Sequence, residues 1–234
     1  MQVYQPQPFQ QHLDGLRWAQ GEHVLIAAPT GAGKSTMMQS IIQLRGHVVV
    51  FVSKLKDETF NPVRMKRNGW KIAKHWDDVD PKEHRKVLLW PTKGEGMLDI
   101  IAHQRVVFAD ALNKINKAGG WCIVIDEAHY TSDPQFLGLG KHIALLHHQG
   151  RSSGISVVTL TQRPSWIPKI IYSSVSHAYI ARTRDADDLK RLSQLGGVDS
   201  KEVADNVYRL PTRFDYVYVP TQTSRPPRVL NSRR

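Results

Sequence analysis

Short apolar runs alternate along the chain with longer stretches in which apolar residues recur at helical spacing. The runs are residues 23–28 (HVLIAA), 47–53 (HVVVFVS), 121–126 (WCIVID) and 155–161 (ISVVTLT). They are continuous and rich in β-branched residues, which is typical of strands buried on both faces of a parallel sheet. Helical spacing is found over residues 34–44, 94–118 and 137–148. The alternation predicts an α/β fold with a mostly parallel sheet and helices on both of its faces.

The rest of the chain completes one predicted domain over residues 1–220. The later elements are predicted at residues 177–182 (parallel strand), 185–195 and 200–208 (helices) and 214–220 (edge strand). Residues 54–86 are polar, basic and interrupted by Pro and Gly, so we expect a basic insertion at the edge of the core. Residues 221–234 are basic and contain prolines, and we expect a basic tail that is disordered or forms an arm.

The composition is that of an ordinary soluble domain, with 41% hydrophobic residues. The longest apolar runs have the length of a strand, whereas a membrane-spanning helix needs about 20 apolar residues. The first residues lack the basic start and apolar stretch of a secretory signal, so we expect a cytoplasmic protein. Cys122 is the single cysteine; its position inside an apolar run predicts a buried core residue.

A phosphate-binding loop is predicted where the first apolar run ends. Residues 28–36 read APTGAGKST, which matches the pattern G-x-x-x-x-G-K-[ST] except that Ala28 replaces the first glycine. The glycines allow backbone conformations that point N–H groups at a phosphate, and the following helix adds its positive end. Lys34 would reach the β- and γ-phosphates of ATP, and Ser35 would bind Mg²⁺. The predicted nucleotide-binding residues are Pro29, Thr30, Gly31, Ala32, Gly33, Lys34, Ser35 and Thr36.

Two carboxylates follow the apolar run at residues 122–125, within the sequence CIVIDEAH. Asp126 is predicted to belong to the Mg²⁺ shell, and Glu127 to act as the general base that activates water. A phosphotransferase does not need a carboxylate aimed at water, so the pair favours ATP hydrolysis.

Further catalytic candidates come from the ends of later strands. Gln162 follows the run at residues 155–161, and ligands of parallel α/β sheets lie at the carboxyl ends of strands. We therefore expect Gln162 beside the γ-phosphate. Arg151, just before that run, can project toward a neighbouring subunit and stabilise the transferring phosphoryl group in trans. Arg182 and Arg184 are rival candidates for the same role.

The chain has a net charge of +11, which favours a phosphate-rich partner such as nucleic acid. The alternatives are that the positive charge serves solubility alone, or that the partner is an acidic surface.

Three segments, APTGAGKST, CIVIDEAH and GRSSGISVVTLTQRPS, together resemble the FtsK/HerA superfamily of DNA-pumping ATPases. The resemblance implies a RecA-like P-loop NTPase core, a homo-oligomeric ring with six subunits, double-stranded DNA in its pore, and an arginine supplied by the neighbour. The size of the chain fits a viral genome-packaging ATPase, located in the host cytoplasm or with the virion. A capsid portal or a membrane complex would then be the docking partner.

A basic stretch inside the predicted insertion supplies the DNA contacts in this hypothesis. Its residues would line or rim the pore and touch phosphates without reading bases, as a sequence-tolerant motor requires. They are Arg64, Lys66, Arg67, Lys71 and Lys74. A solvated basic insertion is the alternative, with the tail beyond Thr221 as another contact region.

Other functions remain open from the sequence. Residues 126–129 spell DEAH, as in superfamily-two helicases, but that class has a Ser-Ala-Thr motif where this chain has TQRP. A P-loop kinase would need a lid, for which residues 54–74 are the candidate. A non-catalytic binding module is disfavoured because Lys34, Asp126 and Glu127 are all present.

Overall fold

The computed structural model describes residues 6–192, 194–195, 199–223 and 225–233. Within them the chain forms ten strands and nine α-helices. The strands are β1 (Gln7–Pro8), β2 (His23–Ala27), β3 (Val48–Phe51), β4 (Lys71–Ala73), β5 (Lys86–Leu89), β6 (Cys122–Ile125), β7 (Ser156–Thr161), β8 (Val175–Ala181), β9 (Asp215–Pro220) and β10 (Arg228–Asn231). The helices are α1 (Phe9–Asp14), α2 (Lys34–Ile42), α3 (Pro62–Arg67), α4 (Met97–Ala118), α5 (Ala128–Ser132), α6 (Gly140–Gln149), α7 (Lys169–Ser174), α8 (Ala186–Leu192) and α9 (Ser200–Tyr208).

All ten strands of the described chain belong to one sheet, in the order β1-β10-β9-β8-β2-β7-β6-β3-β5-β4. The strands from β8 to β4 in this order are parallel to one another, whereas β9 runs antiparallel to both β8 and β10. The predicted α/β fold with a mostly parallel sheet is confirmed.

Helices cover both faces of the sheet, which explains why its central strands are continuously apolar. Consecutive residues of β2 point to opposite faces: Val24 and Ile26 pack with residues of α1, α2 and α3, while Leu25 packs with residues of α4, α6 and α7. All three side chains are fully buried. Cys122 in β6 is buried in the same way, as predicted.

The basic stretch at residues 54–86 does lie at the edge of the sheet, but it is also part of the core. It contains α3 and the outermost strand, β4, which pairs with β5. Phe60, Met65 and Trp70 are buried in the same apolar cluster as the buried residues of α2. These apolar residues are spaced among many charges, so the composition of the segment hides them.

The C-terminal segment differs from the disordered tail or arm expected from its composition. Strand β10 pairs antiparallel with β9 and parallel with β1, so β9 is not the edge strand that the sequence predicts. The anchor is Leu230, which is fully buried although prolines and arginines surround it in the sequence. A strand of four residues with one buried side chain is too short for a periodicity argument to detect.

The strand directions bring several chain segments together at one end of the sheet, the end at which the parallel strands terminate. The parallel strands β2, β6 and β7 end there, as does β10, and the antiparallel strand β9 begins there. No helix among the described residues is both long and apolar enough to cross a membrane.

Candidate nucleotide-binding and hydrolysis site

A cavity of about 460 Å³ opens at the end of the sheet where β2, β6, β7 and β10 terminate. It brings together most of the residues that the sequence singles out. Its lining consists of Pro29, Thr30, Gly31, Gly33, Lys34, Ser35, Thr36, Lys54, Asp126, Glu127, Gln162, Phe214, Ser232 and Arg233.

The phosphate loop joins the end of β2 to the start of α2. Gly31 and Gly33 have φ angles of 77° and 88°, a region that residues with a Cβ rarely adopt, and Gly33 directly precedes the helix. Ala28 stands where the usual pattern has glycine, and its φ is not positive. The alanine therefore fits this backbone without strain. Because α2 begins at Lys34, its first N–H groups and its positive end face the cavity.

Lys34 reaches into the cavity from the first turn of α2. Burial lowers the pKa of Lys34, while the carboxylates of Glu127 and Asp126 raise it in part. A partly desolvated ammonium group interacts strongly with a phosphate, because little water competes for it.

Asp126 follows β6 and is buried at the floor of the cavity. The Lys54 Nζ lies 3.1 Å from its Oδ2 and 3.5 Å from Asp57 Oδ2. Burial lowers the pKa of Lys54, but the Asp126 and Asp57 carboxylates outweigh this effect and raise it above the ordinary value. Sequence reasoning missed Lys54 as a site residue, although it lies three residues after β3, where the strand-end rule could have found it.

A hydrogen-bond chain connects the phosphate loop to the second carboxylate. The Thr30 hydroxyl donates to Gln162 Oε1 (2.8 Å), and Gln162 Nε2 donates to Glu127 Oε2 (3.1 Å). Burial raises the pKa of Glu127, while the nearby Lys34 and the hydrogen bond from Gln162 lower it in part. A carboxylate with a raised pKa is a better proton acceptor than an exposed one.

The candidate arginines lie at opposite ends of the sheet, one after a parallel strand and one before a parallel strand. Arg182 follows β8 and borders a separate cavity of about 320 Å³, which it shares with Arg184, Pro29 and Gln162. Arg151 lies in the turn before β7, so the length of that strand, about 20 Å, separates it from the phosphate loop of its own chain. This turn packs closely on Gly21, where a Cβ would lie 2.8 Å from the Arg151 carbonyl oxygen.

The five basic residues predicted to touch DNA are not equivalent in the structure. The Arg64 guanidinium donates to the Glu58 and Thr59 carbonyls (3.2 and 2.5 Å). Lys74 Nζ donates to the Trp90 carbonyl (2.8 Å) and to Thr92 Oγ1 (2.9 Å).

Lys66 and Arg67 are exposed at the end of α3, and Lys71 is half-buried in the outermost strand β4. None of these three makes an ion pair with a described residue.

Residues from the C-terminal hairpin complete the cavity, and sequence reasoning missed them. Phe214 precedes β9, while Ser232 and Arg233 follow β10. A Cβ on Gly33 would lie 3.1 Å from the Ser232 hydroxyl, so the hairpin rests directly on the phosphate loop. Since the segment is predicted as a tail, its basic residues carried no positional signal.

We expect Glu127→Gln to raise the melting temperature at neutral pH. A carboxyl whose folded pKa is raised keeps its proton more readily in the folded state than in the unfolded chain, so stability is lost as pH rises through the folded pKa. The substitution removes that loss. The gain should vanish below the ordinary value of 4.5, where the group is protonated in both states. Thermal unfolding between pH 4 and pH 8 checks this, with Glu95→Gln at an exposed position as the control. An equal gain at every pH would contradict it.

No family model matches the sequence, and no curated protein matches it either. Solved structures do match. The genome packaging NTPase B204 of Sulfolobus turreted icosahedral virus 2 superposes with a TM-score of 0.64 at 16% identity, over 92% of this chain and 98% of that one. The same protein has been solved in complex with AMP, AMPPCP and ATP-γS.

Two further neighbours come from other organisms. VirB4 of Thermoanaerobacter pseudethanolicus matches with a TM-score of 0.63 at 10% identity, over 90% of this chain and 89% of that one. The cytoplasmic domain of the type VII secretion ATPase EccC of Thermomonospora curvata matches with a TM-score of 0.59 at 15% identity, over 92% of this chain and 25% of that one. The chain therefore has the fold of these proteins, a RecA-like P-loop NTPase fold, as the sequence predicts.

Proposed function

We propose that this chain is an ATPase that couples hydrolysis to the movement of double-stranded DNA, as one subunit of a ring. The observation that carries the proposal is the hydrogen-bond chain from Thr30 through Gln162 to Glu127, in one cavity with Lys34 and Asp126. It links a residue that would touch phosphate to the group that would activate water. The structural neighbours, which include two viral packaging enzymes, support the same function.

Nucleotide binding would use the loop and Lys34, while Ser35 and Asp126 would hold Mg²⁺. No group of three or more His, Cys, Asp or Glu side chains among the described residues could bind a metal ion by itself. A site formed by Ser35 and Asp126 fits Mg²⁺, which keeps several waters and is commonly bound by one or two protein ligands plus the phosphates. When bound, Mg²⁺ supplies positive charge to the β- and γ-phosphates.

The geometry favours hydrolysis over transfer to a second substrate. Glu127, with its raised pKa, would accept the proton of the attacking water, and Gln162 would orient Glu127 according to the position of Thr30. The stretch that a kinase would use as a lid, residues 54–74, is instead packed on the core through Met65 and Trp70. This packing argues against the kinase alternative.

The ring in this proposal follows from the position of Arg151. The cavity lining among the described residues includes one arginine, Arg233, and it lies at the C-terminal hairpin, away from Glu127. Arg151 is exposed at the opposite end of the sheet, too far from its own phosphate loop to reach a nucleotide there, and would serve the nucleotide of another copy. Head-to-tail packing of identical subunits generates a ring when the rotation between neighbours closes, and an open filament when it does not. We propose a ring in which Arg151 of one subunit faces the cavity of the next, with the six subunits that the resemblance to FtsK/HerA ATPases implies.

DNA contact would involve Lys66, Arg67 and Lys71, which form no ion pair with a described carboxylate. Arg64 and Lys74 are held by internal hydrogen bonds, so we propose that they support the surface instead of touching phosphates.

The proposed function is tested by ATP turnover with and without duplex DNA. Duplex DNA should stimulate the wild-type rate. Glu127→Gln should lower kcat by about 10²–10⁴ while ATP still binds, because the base is removed and the phosphate site is intact. A wild-type rate that ignores DNA would contradict the coupling, and turnover by Glu127→Gln at the wild-type rate would contradict the assignment of the base.

Mixed rings test the role of Arg151. Arg151→Ala should lower kcat by about 10³ or more, because the charge of the transferring phosphoryl group loses its partner. Mixing that variant with Lys34→Ala should restore part of the activity, since the second variant supplies Arg151 to the intact cavity of the first. Arg182→Ala is the control, because Arg182 lies at the same end of the sheet as the phosphate loop of its own chain and should not be rescued. Equal rescue of both variants, or of neither, would be inconsistent with a role of Arg151 in trans.

Salt titrations test the DNA surface. The double variant Lys66→Gln/Arg67→Gln should flatten the slope of log K against log salt by about 2, because each lost phosphate contact changes it by about 1. Lys74→Gln is the matched control: the same charge is removed from a residue with internal partners, and the slope should not change. If the control flattens the slope as much as one exposed residue does, the division between the two groups is wrong.

A further inference from the structure

The nucleotide cavity has a second end whose residues the proposed hydrolysis does not use. The phosphate-loop strand β2 lies between β7 and β8 in the sheet. On the β7 side the cavity is lined by Asp126, Glu127 and Gln162, where the terminal phosphate would lie. On the β8 side it is lined by Phe214, Ser232 and Arg233. A nucleotide whose phosphates follow the loop would therefore extend its base toward the C-terminal hairpin.

Two guanidinium groups pack over the ring of Phe214 at that end. The Arg233 Cζ lies 3.5 Å from the centre of the Phe214 ring, and the Arg213 Cζ lies 4.8 Å from it. Phe214 and Arg233 line the cavity, whereas Arg213 does not. An aromatic ring and a planar guanidinium are the two side-chain surfaces on which nucleobases stack.

A buried carboxylate keeps this end of the hairpin in place. Asp215 accepts hydrogen bonds from the Thr212 backbone N–H (2.8 Å), the Thr212 hydroxyl (2.7 Å) and Asn231 Nδ2 (2.6 Å). Both the backbone N–H and the hydroxyl of Ser232 donate to the Phe214 carbonyl, at 2.9 and 3.1 Å. These bonds tie the residue before β9 to the residue after β10.

The same hairpin is attached to the phosphate loop. The Tyr216 hydroxyl, buried in the core, donates to the Ala32 carbonyl (2.9 Å). The stacking surface and the phosphate site are thus held at a constant spacing. A preformed spacing of this kind suits a ligand with a base at one end and phosphates at the other.

We infer that Phe214 and Arg233 form a nucleobase subsite, which holds the base of a purine nucleoside triphosphate by stacking. This inference rests on the proposed nucleotide binding. The base would lie on the face of the Arg233 guanidinium opposite to Phe214, in contact with the Ser232 side chain, while the Phe214 ring supports the guanidinium from its other face. The three residues of the hairpin that line the cavity carry neither a carboxylate nor an amide side chain.

The chemistry of this subsite predicts little selection between adenine and guanine. The N–H groups of a guanidinium lie in its own plane, so an arginine that stacks on a base does not direct them at the polar edge that distinguishes adenine from guanine. Stacking is tolerant of base identity because every base has a π face. A site without a group that pairs with a distinguishing polar atom discriminates weakly. The substrate class is therefore purine nucleoside triphosphates in general.

Binding measurements with ATP and with inorganic tripolyphosphate test the subsite. In titration calorimetry, Phe214→Ala should raise the Kd for ATP by about tenfold, the effect of losing one stacked base, because the Arg233 guanidinium that carries the base loses the ring that holds it. It should leave the Kd for tripolyphosphate unchanged. Phe214→Tyr keeps the ring and should bind both ligands as the wild type does. Arg213→Ala is the matched control, because Arg213 packs on Phe214 without lining the cavity.

The outcomes separate the subsite from the nucleotide site as a whole. An unchanged Kd for ATP in Phe214→Ala, or an equal loss of ATP and tripolyphosphate, would overturn the inference. If the wild type binds neither ligand, the proposed function fails instead. Arg233→Gln gives a second reading should Phe214→Ala be unstable: it too should weaken ATP and not tripolyphosphate. The wild-type Kd values for ATP and GTP should agree within about tenfold, and a larger preference would overturn the purine-level selection.

Discussion

The register of three parallel strands is the constraint on which the site depends. Ala27 of β2 pairs with Thr161 of β7, so the phosphate loop and Gln162 leave the sheet side by side. Ile125 of β6 pairs with Thr159 of the same β7, which brings Glu127 level with Thr161, the residue before Gln162. A shift by one residue would turn each side chain to the opposite face of the sheet. The hydrogen bonds between loop, amide and carboxylate follow from this pairing.

Much of the fold could be predicted because its central strands are continuously apolar and its signals are local. The runs containing β2, β3, β6 and β7 need burial on both faces, and only a sheet covered by two helical layers provides it. The site residues with a local signal were equally accessible. Lys34 follows a glycine pattern, and Asp126 and Glu127 follow a buried strand, so their position depends on a few neighbouring residues.

The residues that escaped prediction depend on distant parts of the chain. Lys54 acquires its role from Asp126, 72 positions later. Phe214 and Arg233 enter the cavity only because β9 and β10 extend the sheet past β8, and β10 is recognisable by a single buried leucine. Charge misled the interpretation of the basic stretch for a related reason: Arg64 and Lys74 look like surface cations in the sequence, yet backbone carbonyls some distance away bind them.

The two ends of the parallel strands differ in function in this account. The carboxyl end holds the phosphate loop, the carboxylates and the C-terminal hairpin, and the amino end presents Arg151 on a turn packed against Gly21. Hydrolysis in one subunit would then depend on its neighbour, which is a requirement for sequential action in a ring. The most direct measurement is the release of a triplex-forming oligonucleotide from duplex DNA. The account predicts release that requires ATP and is absent with Glu127→Gln. DNA-stimulated hydrolysis by the wild type without any release would contradict it.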